Sequence, residues 1–298
     1  MSRQVQGYLY LALAMLTVGS TVVASKLIAS GLPPFSATAL RFAIAFPVFL
    51  LLMWATGARL PKFSREDRLI LVIQAGAGSV GYTTLLISGL SLTSAADAGV
   101  IIGTLPVVAA AISILLLRER PQRALLLAVA LATAGVLSIA VTPDAAGGSL
   151  SGNALIFLAV VCEGLFILLN KRLKTEIAPL AQSTLMAGIG FIVAAIPAIF
   201  EAPFAHGISR SAVAAVVYYA LVPTVGGFLL WYAGAERVSG TEAALFTAVA
   251  PVSAVMLAFI ILGEPVGLHQ IAGIACVLAA VLGLAFAGSR TVKLASGR

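Results

Sequence analysis

Long apolar runs separated by short polar stretches dominate the chain. About ten of these runs approach the ~20 residues that a helix needs to cross the hydrocarbon core of a membrane. Their approximate limits are 7–30, 36–56, 69–90, 95–117, 123–142, 153–171, 180–200, 212–235, 242–262 and 268–287. The pattern predicts an all-α membrane protein of about ten transmembrane helices, and the short connections leave no room for a soluble catalytic or ATP-binding domain.

The composition agrees with this pattern. Hydrophobic residues make up 61% of the 298 positions, charged residues only 10%, and the mean hydropathy is +1.10. A soluble domain carries charges at roughly a quarter of its positions, so water is a poor solvent for this chain. Cys162 and Cys276 both fall within predicted spans, which argues against a disulfide framework.

The net charge of +7 carries information on topology. If the N-terminus is cytoplasmic, all of the 18 lysines and arginines except Lys26, Arg41 and Arg210 fall on the cytoplasmic side. A nucleic-acid-binding protein would instead gather its charges on one folded surface. We therefore expect a multi-pass protein of the inner (plasma) membrane, surrounded by lipid, with both termini cytoplasmic and no nucleic-acid partner.

The chain also contains an internal repeat with an offset of 145 residues. The offset aligns the following pairs without a gap: Gly19 and Gly164, Lys26 and Lys171, Pro34 and Pro179, Gly81 and Gly226, Ser94 and Ser239, Pro106 and Pro251, and Glu119 and Glu264. We expect two five-helix repeats, residues 1–145 and 146–298, forming one transport domain. Because five is an odd number, the second repeat should enter the membrane from the opposite side. Inverted repeats are typical of transporters that work by alternating access, although duplication can also simply build a stable bundle.

Motifs within each repeat resemble a known family. Leu115-Leu-Leu-Arg-Glu-Arg-Pro121 and Ile261-Leu-Gly-Glu-Pro-Val-Gly267 are similar to the closing motif of the EamA repeat, and Pro33-Pro34 with Arg41-Phe42 resembles its second-helix motif. The resemblance covers nearly the whole chain and, in general character, is closest to YddG-like amino-acid exporters. Membership of this family, within the drug/metabolite transporter superfamily, implies ten helices in two inverted repeats and metabolite export or exchange without ATP. Met186 occupies the place of Arg41 in the second repeat.

Charged side chains inside the predicted spans suggest a substrate site, because each costs about 2.5–3.5 kcal/mol to insert. Glu163 lies about ten residues, or roughly 15 Å, into its span, near the membrane midplane. It could bind a substrate ammonium or carry a coupling proton, or it could be a protonated side chain bonded to a neighbouring helix. Arg41, roughly 8 Å inside the second span, could bind a substrate carboxylate, snorkel to the interface, or bond helix-end carbonyls.

Aromatic and amide side chains supply further candidates. Tyr82 is deep enough that its hydroxyl needs a polar partner or the substrate, whereas Trp231 could line the cavity or belong to an interfacial belt. Gln74 and Asn170 are additional polar candidates for substrate binding. We expect the central site to be lined by the first, third, fourth, sixth, eighth and ninth spans.

Four paired residues are expected to act in gating and structure. Pro106 and Pro251 fall near the middle of their spans, where a proline removes a helix hydrogen bond and favours a bend near the cavity. Glu119 and Glu264 end long helices, where an acid opposes the helix dipole and needs compensation, for example from an N–H of the following turn. Lys26 is expected to anchor its helix at the interface, and Ser94 with Asp97 matches a helix-capping box.

These observations predict an exporter of small metabolites, with amino acids as the first choice of cargo. The sequence lacks the motifs of phosphate loops, zinc hydrolases and redox CxxC sites, so we expect no enzyme activity, cofactor or metal. Proton coupling through Glu163 and facilitated diffusion or exchange fit equally well. One alternative is a nucleotide-sugar or sugar-phosphate exchanger, which would need paired cations at depth. The other is a membrane assembly protein that transports nothing.

Overall fold

The computed structural model describes residues 3–117, 123–140, 149–201, 209–238, 246 and 249–296, and this part of the chain is helical without a strand. The α-helices are α1 Arg3–Ala29, α2 Pro34–Thr56, α3 Arg65–Gln74, α4 Tyr82–Leu90, α5 Ala95–Ile102, α6 Leu105–Leu117, α7 Arg123–Ala140, α8 Leu150–Arg172, α9 Pro179–Ala198, α10 Arg210–Tyr219, α11 Gly227–Ala235, α12 Val249–Leu257 and α13 Leu268–Ser296. Three π-helical segments interrupt or extend them: Ala75–Gly81, Ala220–Gly226 and Ala258–Leu262.

Six helical units are long and apolar enough to cross a membrane. They are Arg3–Ala29, Pro34–Thr56, Arg65–Leu90, Leu150–Asn170, Pro179–Glu201 and Arg210–Ala235. Four shorter apolar helices follow or precede them: Ala95–Ala109, Leu126–Gly135, Val249–Leu262 and Leu268–Ala280. The predicted multi-pass, all-α architecture is therefore confirmed, while the total of ten spans stays a prediction.

The boundaries of the helices repeat along the chain. Helix α2 begins at Pro34 and α9 at Pro179, and in both cases a proline occupies the first turn, where its missing N–H costs nothing. The π segments Ala75–Gly81 and Ala220–Gly226 begin 145 residues apart and end 145 residues apart. The offset found in the amino-acid sequence thus recurs in the helix limits, including an uncommon type of helix.

Helices from the two parts of the chain pack between one another. Helix α2 packs along α9, α7 along α13, α1 along α11 and α12, and α8 along α4 and α6. Each pair joins a helix before the 141–148 segment to a helix after it. The two parts therefore share their packed interior, as one integrated bundle requires.

The predicted mid-span bends need a correction. Pro106 is the second residue of α6, because the chain breaks at Gly103 and Thr104 and starts a new helix there. A proline at the start of a helix removes no internal bond, so Pro106 marks a break rather than a mid-helix kink. Pro251 lies in α12, but residues 247 and 248 before this helix are outside the described residues, as is Glu119, so the bend at Pro251 stays a prediction.

Candidate functional site

A central cavity of about 160 Å³ is enclosed by the six long helical units, all of which contribute lining residues. We expected the fourth and ninth predicted spans to line the site. Among the described residues, the second and seventh spans, α2 and α9, line the cavity instead. In the described part of the fourth and ninth predicted spans, α5 and α12 pack against each other and against α1. Among the described residues, none from α5, α6 or α12 lines this cavity.

Equivalent positions of the two repeats line the cavity together. Seven pairs of lining residues are each 145 positions apart. The pairs are Val18 and Glu163, Thr21 and Phe166, Arg41 and Met186, Phe42 and Ala187, Gly78 and Pro223, Ser79 and Thr224, and Thr83 and Phe228. The cavity therefore lies where corresponding parts of the repeats meet, although the side chains within each pair differ.

Arg41 supplies a cation to this cavity. Its side chain is only 8% exposed, and the guanidinium carbon lies 4.2 Å from the ring centroid of Phe42 and 4.5 Å from that of Tyr219. One guanidinium nitrogen donates a long hydrogen bond of 3.4 Å to the carbonyl of Ser79, and Nε is buried without a partner. The side chain does not reach the surface, so the snorkelling alternative is wrong. Aromatic rings hold the cation in place of water.

The carbonyl that Arg41 contacts belongs to a π-helical segment. In a π-helix the backbone bonds run to the fifth residue, and such segments occur mainly at functional sites. The carbonyl of Ser79 also accepts a hydrogen bond of 3.0 Å from the hydroxyl of Thr83. In the second repeat, the hydroxyl of Thr224 donates to the carbonyl of Tyr219 at 2.8 Å. Both π segments therefore present hydroxyl and carbonyl groups beside the cavity.

Glu163 on α8 supplies an acid to the same cavity. The side chain is half-buried, and it makes no ion pair within 4.0 Å with Arg41. In the described part of the chain, the pair within that distance joins Lys174 to Glu66 at the surface. The cavity consequently holds one cation and one acid that do not contact each other.

Three of the six residues predicted to bind substrate meet in this cavity: Arg41, Tyr82 and Glu163. Tyr82 begins α4 directly after the first π segment, and its side chain packs against the largest buried apolar cluster while facing the cavity. The predicted depth of Tyr82 and Glu163 in their spans thus corresponds to a shared position in space.

The other three predicted residues lie outside the lining of this cavity. Gln74 is fully buried, donates to the carbonyl of Phe166 at 3.2 Å and leaves Oε1 without a partner. Asn170 is exposed and accepts a hydrogen bond from Gln182. Trp231 packs on an apolar cluster of α1 and α12. Their positions favour helix packing over direct contact with a ligand in this cavity.

A second cavity of about 310 Å³ adjoins the first and shares Phe49, Ser183 and Phe228 with it. We call it the vestibule. Its lining extends to Thr56 and Ala58 at the end of α2, to Ala178 and Pro179 before α9, and to Glu236 after α11. The vestibule therefore connects the central cavity to the loops at one end of the bundle.

At the opposite end of the bundle, hydrogen bonds tie the helix ends together, and we call this the tied end. Lys26 donates to the carbonyls of Leu90 at 2.8 Å and Thr93 at 2.6 Å. Further ties join Thr93 to Asn153, Gln270 to Asp97, Ala96 to Glu264, and Phe35 and Ser36 to Glu201. Lys26 was expected to be an interface anchor, and in the structure it satisfies the last carbonyl of α4 and the carbonyl of Thr93 in the loop before α5.

Glu264 is compensated in a different way from the one we expected. Its carboxylate accepts from the backbone N–H of Ala96 at 3.1 Å, so the compensating group is the start of α5 in the first repeat rather than the following turn. The first N–H groups of a helix have no internal partner and favour an acid. Ser94 caps α5 as predicted, because its hydroxyl accepts from the N–H of Asp97 at 3.0 Å; the carboxylate of Asp97 accepts from Gln270.

Several lining residues were missed as candidates, among them Phe42, Met186, Phe228 and Ser183. The 145-residue offset pairs Met186 with Arg41 and Val18 with Glu163, but these two partners were not predicted to line the site. Phe42 follows Arg41 directly, and a buried guanidinium needs an aromatic or polar neighbour. Phe228 and Ser183 have no comparable signal in the sequence.

The chain is similar to known membrane transporters over nearly its full length. A family model described as the EamA-like transporter family matches residues 5–141 and 150–286, that is, twice in succession. A Bacillus subtilis (strain 168) protein named uncharacterized transporter YetK is 36% identical over 285 residues, which are 94% of this chain and 86% of that protein. A Streptantibioticus cattleyicolor protein named probable terminal-alkyne amino-acid exporter is 27% identical over 258 residues, 84% of each chain.

A solved structure shares the fold. It is described as the crystal structure of a protein, and it superposes with a TM-score of 0.63 over 97% of this chain and 98% of its own chain. The two sequences are 22% identical, so this similarity concerns the fold alone.

Proposed function

The chain belongs to the EamA-like transporter family, and we propose that this multi-pass membrane transporter exports small metabolites, with amino acids as its principal cargo. Family membership makes the protein a transporter rather than an enzyme, and it removes the alternative of an assembly protein that transports nothing. A similar protein is named as an amino-acid exporter, which supports the proposed class of cargo.

The observation that carries the proposal is a central cavity built from equivalent positions of two repeats. The vestibule leads from it to one end of the bundle, while hydrogen bonds close the tied end. Two inverted repeats, residues 1–145 and 146–298, can exchange such arrangements, so that the cavity opens alternately to either side. We propose ten membrane-spanning helices for this mechanism.

The orientation follows from the charges near the vestibule. Arg59, Lys62 and Lys174 lie in the loops beside it, and Arg237 follows α11. Because basic loops stay on the cytoplasmic side, we assign the vestibule and both termini to the cytoplasm and the tied end to the outside. The membrane is then the cell inner membrane, and the cavity faces the cytoplasm.

Arg41, Glu163 and Tyr82 contact the substrate in this proposal, since they line the cavity together. Glu264 acts in gating through its bond to the start of α5, and Glu119 is its counterpart at the cytoplasmic end. Pro106 and Pro251 also act in gating in this proposal, Pro106 by its place at the start of α6. Glu163 is also the one acid positioned to carry a coupled proton among the described lining residues.

A nucleotide-sugar or sugar-phosphate exchanger is the second candidate. A doubly charged phosphate needs more than one cation for recognition, as in sites with paired arginines or lysines. In the described lining, Arg41 is accompanied by no second cation, and Glu163 would repel a phosphate. We therefore rank this cargo below amino acids.

Uptake into proteoliposomes tests the proposal. A panel of labelled amino acids is offered with and without a pH gradient, and we expect saturable uptake of at least one of them. Glu163→Gln should lower this uptake at least about tenfold, since it removes a charge from the cavity. Accumulation driven by the pH gradient would indicate proton coupling, and equilibration without it would indicate facilitated diffusion or exchange.

The exposed Glu176 provides a matched control, because Glu176→Gln makes the same chemical change in a loop outside the cavities. Uptake of sugar phosphates without uptake of any amino acid would contradict the proposed cargo. Equal uptake by the wild type and Glu163→Gln would remove Glu163 from the site.

A further inference from the structure

The charges of the central cavity are divided between the two repeats. Arg41 in the first repeat corresponds to Met186 in the second, and Glu163 in the second corresponds to Val18 in the first. All four residues line the same cavity, so each charged residue has an apolar residue at the equivalent position of the other repeat. A site made from equivalent halves therefore has a positive side and a negative side.

The positive side is prepared for an oxyanion. The rings of Phe42 and Tyr219 lie close to the guanidinium carbon, at 4.2 and 4.5 Å, and hold the group in place. Its Nε is buried without a partner, and the hydrogen bond from another guanidinium nitrogen to the carbonyl of Ser79 is long at 3.4 Å. A buried donor left unpaired is costly, and a planar guanidinium binds a carboxylate through two parallel hydrogen bonds. The unpartnered Nε is therefore available to a carboxylate oxygen.

The negative side lacks a cation of its own. Glu163 lines the cavity without an ion pair to Arg41 within 4.0 Å, and no lysine or histidine accompanies it in the described lining. A cationic ligand group can therefore occupy the space beside the carboxylate. A ligand with only a negative charge would be repelled by Glu163, and one with only a positive charge would be repelled by Arg41.

The size and walls of the cavity limit what lies between the charges. A volume of 160 Å³ is about ten times the space that one water molecule needs, so a small molecule fits. Phe49, Phe166 and Phe228 add apolar wall beside the two charges. Together these features fit a small molecule with two opposite charges and an apolar side group.

We infer that the cavity binds α-amino acids as zwitterions in one orientation, with the carboxylate at Arg41 and the ammonium at Glu163. This inference rests on the proposed function, and it adds the two charged contacts and the direction in which the ligand lies. Small and medium apolar side chains fit the remaining space.

The test compares leucine with two derivatives that each lack one charge. Leucinamide keeps the ammonium but has no carboxylate, and N-acetyl-leucine keeps the carboxylate but has no ammonium. Binding to the purified transporter is measured as ligand-dependent thermal stabilisation, from which dissociation constants follow. We expect each derivative to bind the wild type about 30-fold more weakly than leucine, because each leaves one protein charge unpaired.

Two variants assign the orientation. Arg41→Met introduces the residue found at the equivalent position of the second repeat. It should weaken the binding of leucine about 30-fold and change the binding of leucinamide by no more than about threefold. Glu163→Gln should weaken the binding of leucine by a similar factor and leave the binding of N-acetyl-leucine unchanged. Arg210→Met and Glu176→Gln change exposed residues away from the cavity and serve as matched controls.

The opposite pattern, with Arg41→Met sparing N-acetyl-leucine, would overturn the orientation. Equal effects of both variants on all three ligands, or no stabilisation by leucine and by smaller amino acids such as alanine and valine, would overturn two-point binding. Flux is measured separately in proteoliposomes. Binding with the expected pattern but without flux would contradict the proposed function and support two-point binding. Flux without the expected binding pattern would support the proposed function and overturn two-point binding.

Discussion

At the scale of single residues, Gly78 decides how closely the first π segment approaches α8. A Cβ atom built on Gly78 would lie 2.3 to 2.4 Å from side-chain atoms of Phe166, well inside contact distance. Gly76, two residues earlier in the same segment, has no atom within 4 Å of the equivalent position. Close packing therefore requires a glycine at position 78 but not at position 76.

We predict that Gly78→Ala destabilises the protein by about 1–3 kcal/mol, because Phe166 must move to make room for the methyl group. Phe166 lines the central cavity, so transport should fall as well. The measurement is the thermal unfolding midpoint in detergent. Gly76→Ala is the control and should change stability by about 0.5 kcal/mol or less. Equal midpoints for the two variants would contradict the packing described here.

The depth of a residue within its span could be read from the sequence, but the direction of its side chain could not. Glu163 and Arg41 were chosen as charged residues within spans and Tyr82 for its depth, and all three line the cavity. Gln74 was chosen as a polar side chain and Trp231 as an aromatic one within a span, and both pack against other helices. In a soluble helix an apolar stripe indicates the buried face, but a membrane helix is apolar on all sides. The depth of a residue therefore predicted its position along the membrane normal, but not the direction in which its side chain points.

At the scale of helices, the limits were predictable where a specific residue sets them. The second span was predicted at 36–56 and is observed as Pro34–Thr56, beginning at a proline. The fourth span was predicted as one bent helix and is observed as α5 and α6, because Pro106 begins a new helix. The π segments were not predicted, since hydrophobic periodicity in an apolar run does not distinguish π from α geometry.

The tied end gives a prediction about one helix contact. Lys26→Met removes the charged donor that bonds the carbonyls of Leu90 and Thr93. This should destabilise the closed arrangement of the tied end by about 1.5 kcal/mol or more. The tied end should open more often, so that a cysteine at Thr21 in the central cavity reacts up to about tenfold faster with a membrane-impermeant reagent added outside. Lys62→Met, which alters an exposed loop residue, should leave the rate unchanged.

The native Cys162 and Cys276 are partly exposed and would react in the same experiment. The measurement is therefore made in a background in which both are replaced by serine. Identical labelling rates for Lys26→Met and Lys62→Met would show that the hydrogen bonds of Lys26 do not hold the tied end closed.

At the scale of the whole molecule, the repeat predicts a topology that reporter fusions can measure. Reporters fused at either terminus should be active only as cytoplasmic enzymes, because basic loops remain inside. A reporter inserted between the repeats, within residues 142–148, should be active only outside, since five spans separate it from each end. Cytoplasmic activity at all three positions would contradict the inverted arrangement.

In two of the paired positions of the cavity, only one of the two residues is charged. This inequality between the repeats has a consequence for the kinetics of transport. A carrier with identical repeats would have inward-open and outward-open states of equal free energy, and it would saturate at the same concentration from either side. Arg41 with Met186, and Val18 with Glu163, make the two halves unequal, and the hydrogen bonds of the tied end add to the difference. The inward-open and outward-open states then differ in free energy. The substrate concentration that gives half-saturation should therefore differ between the two faces of the membrane. For passive transport, detailed balance requires the face with the tighter half-saturation to have the lower maximal rate.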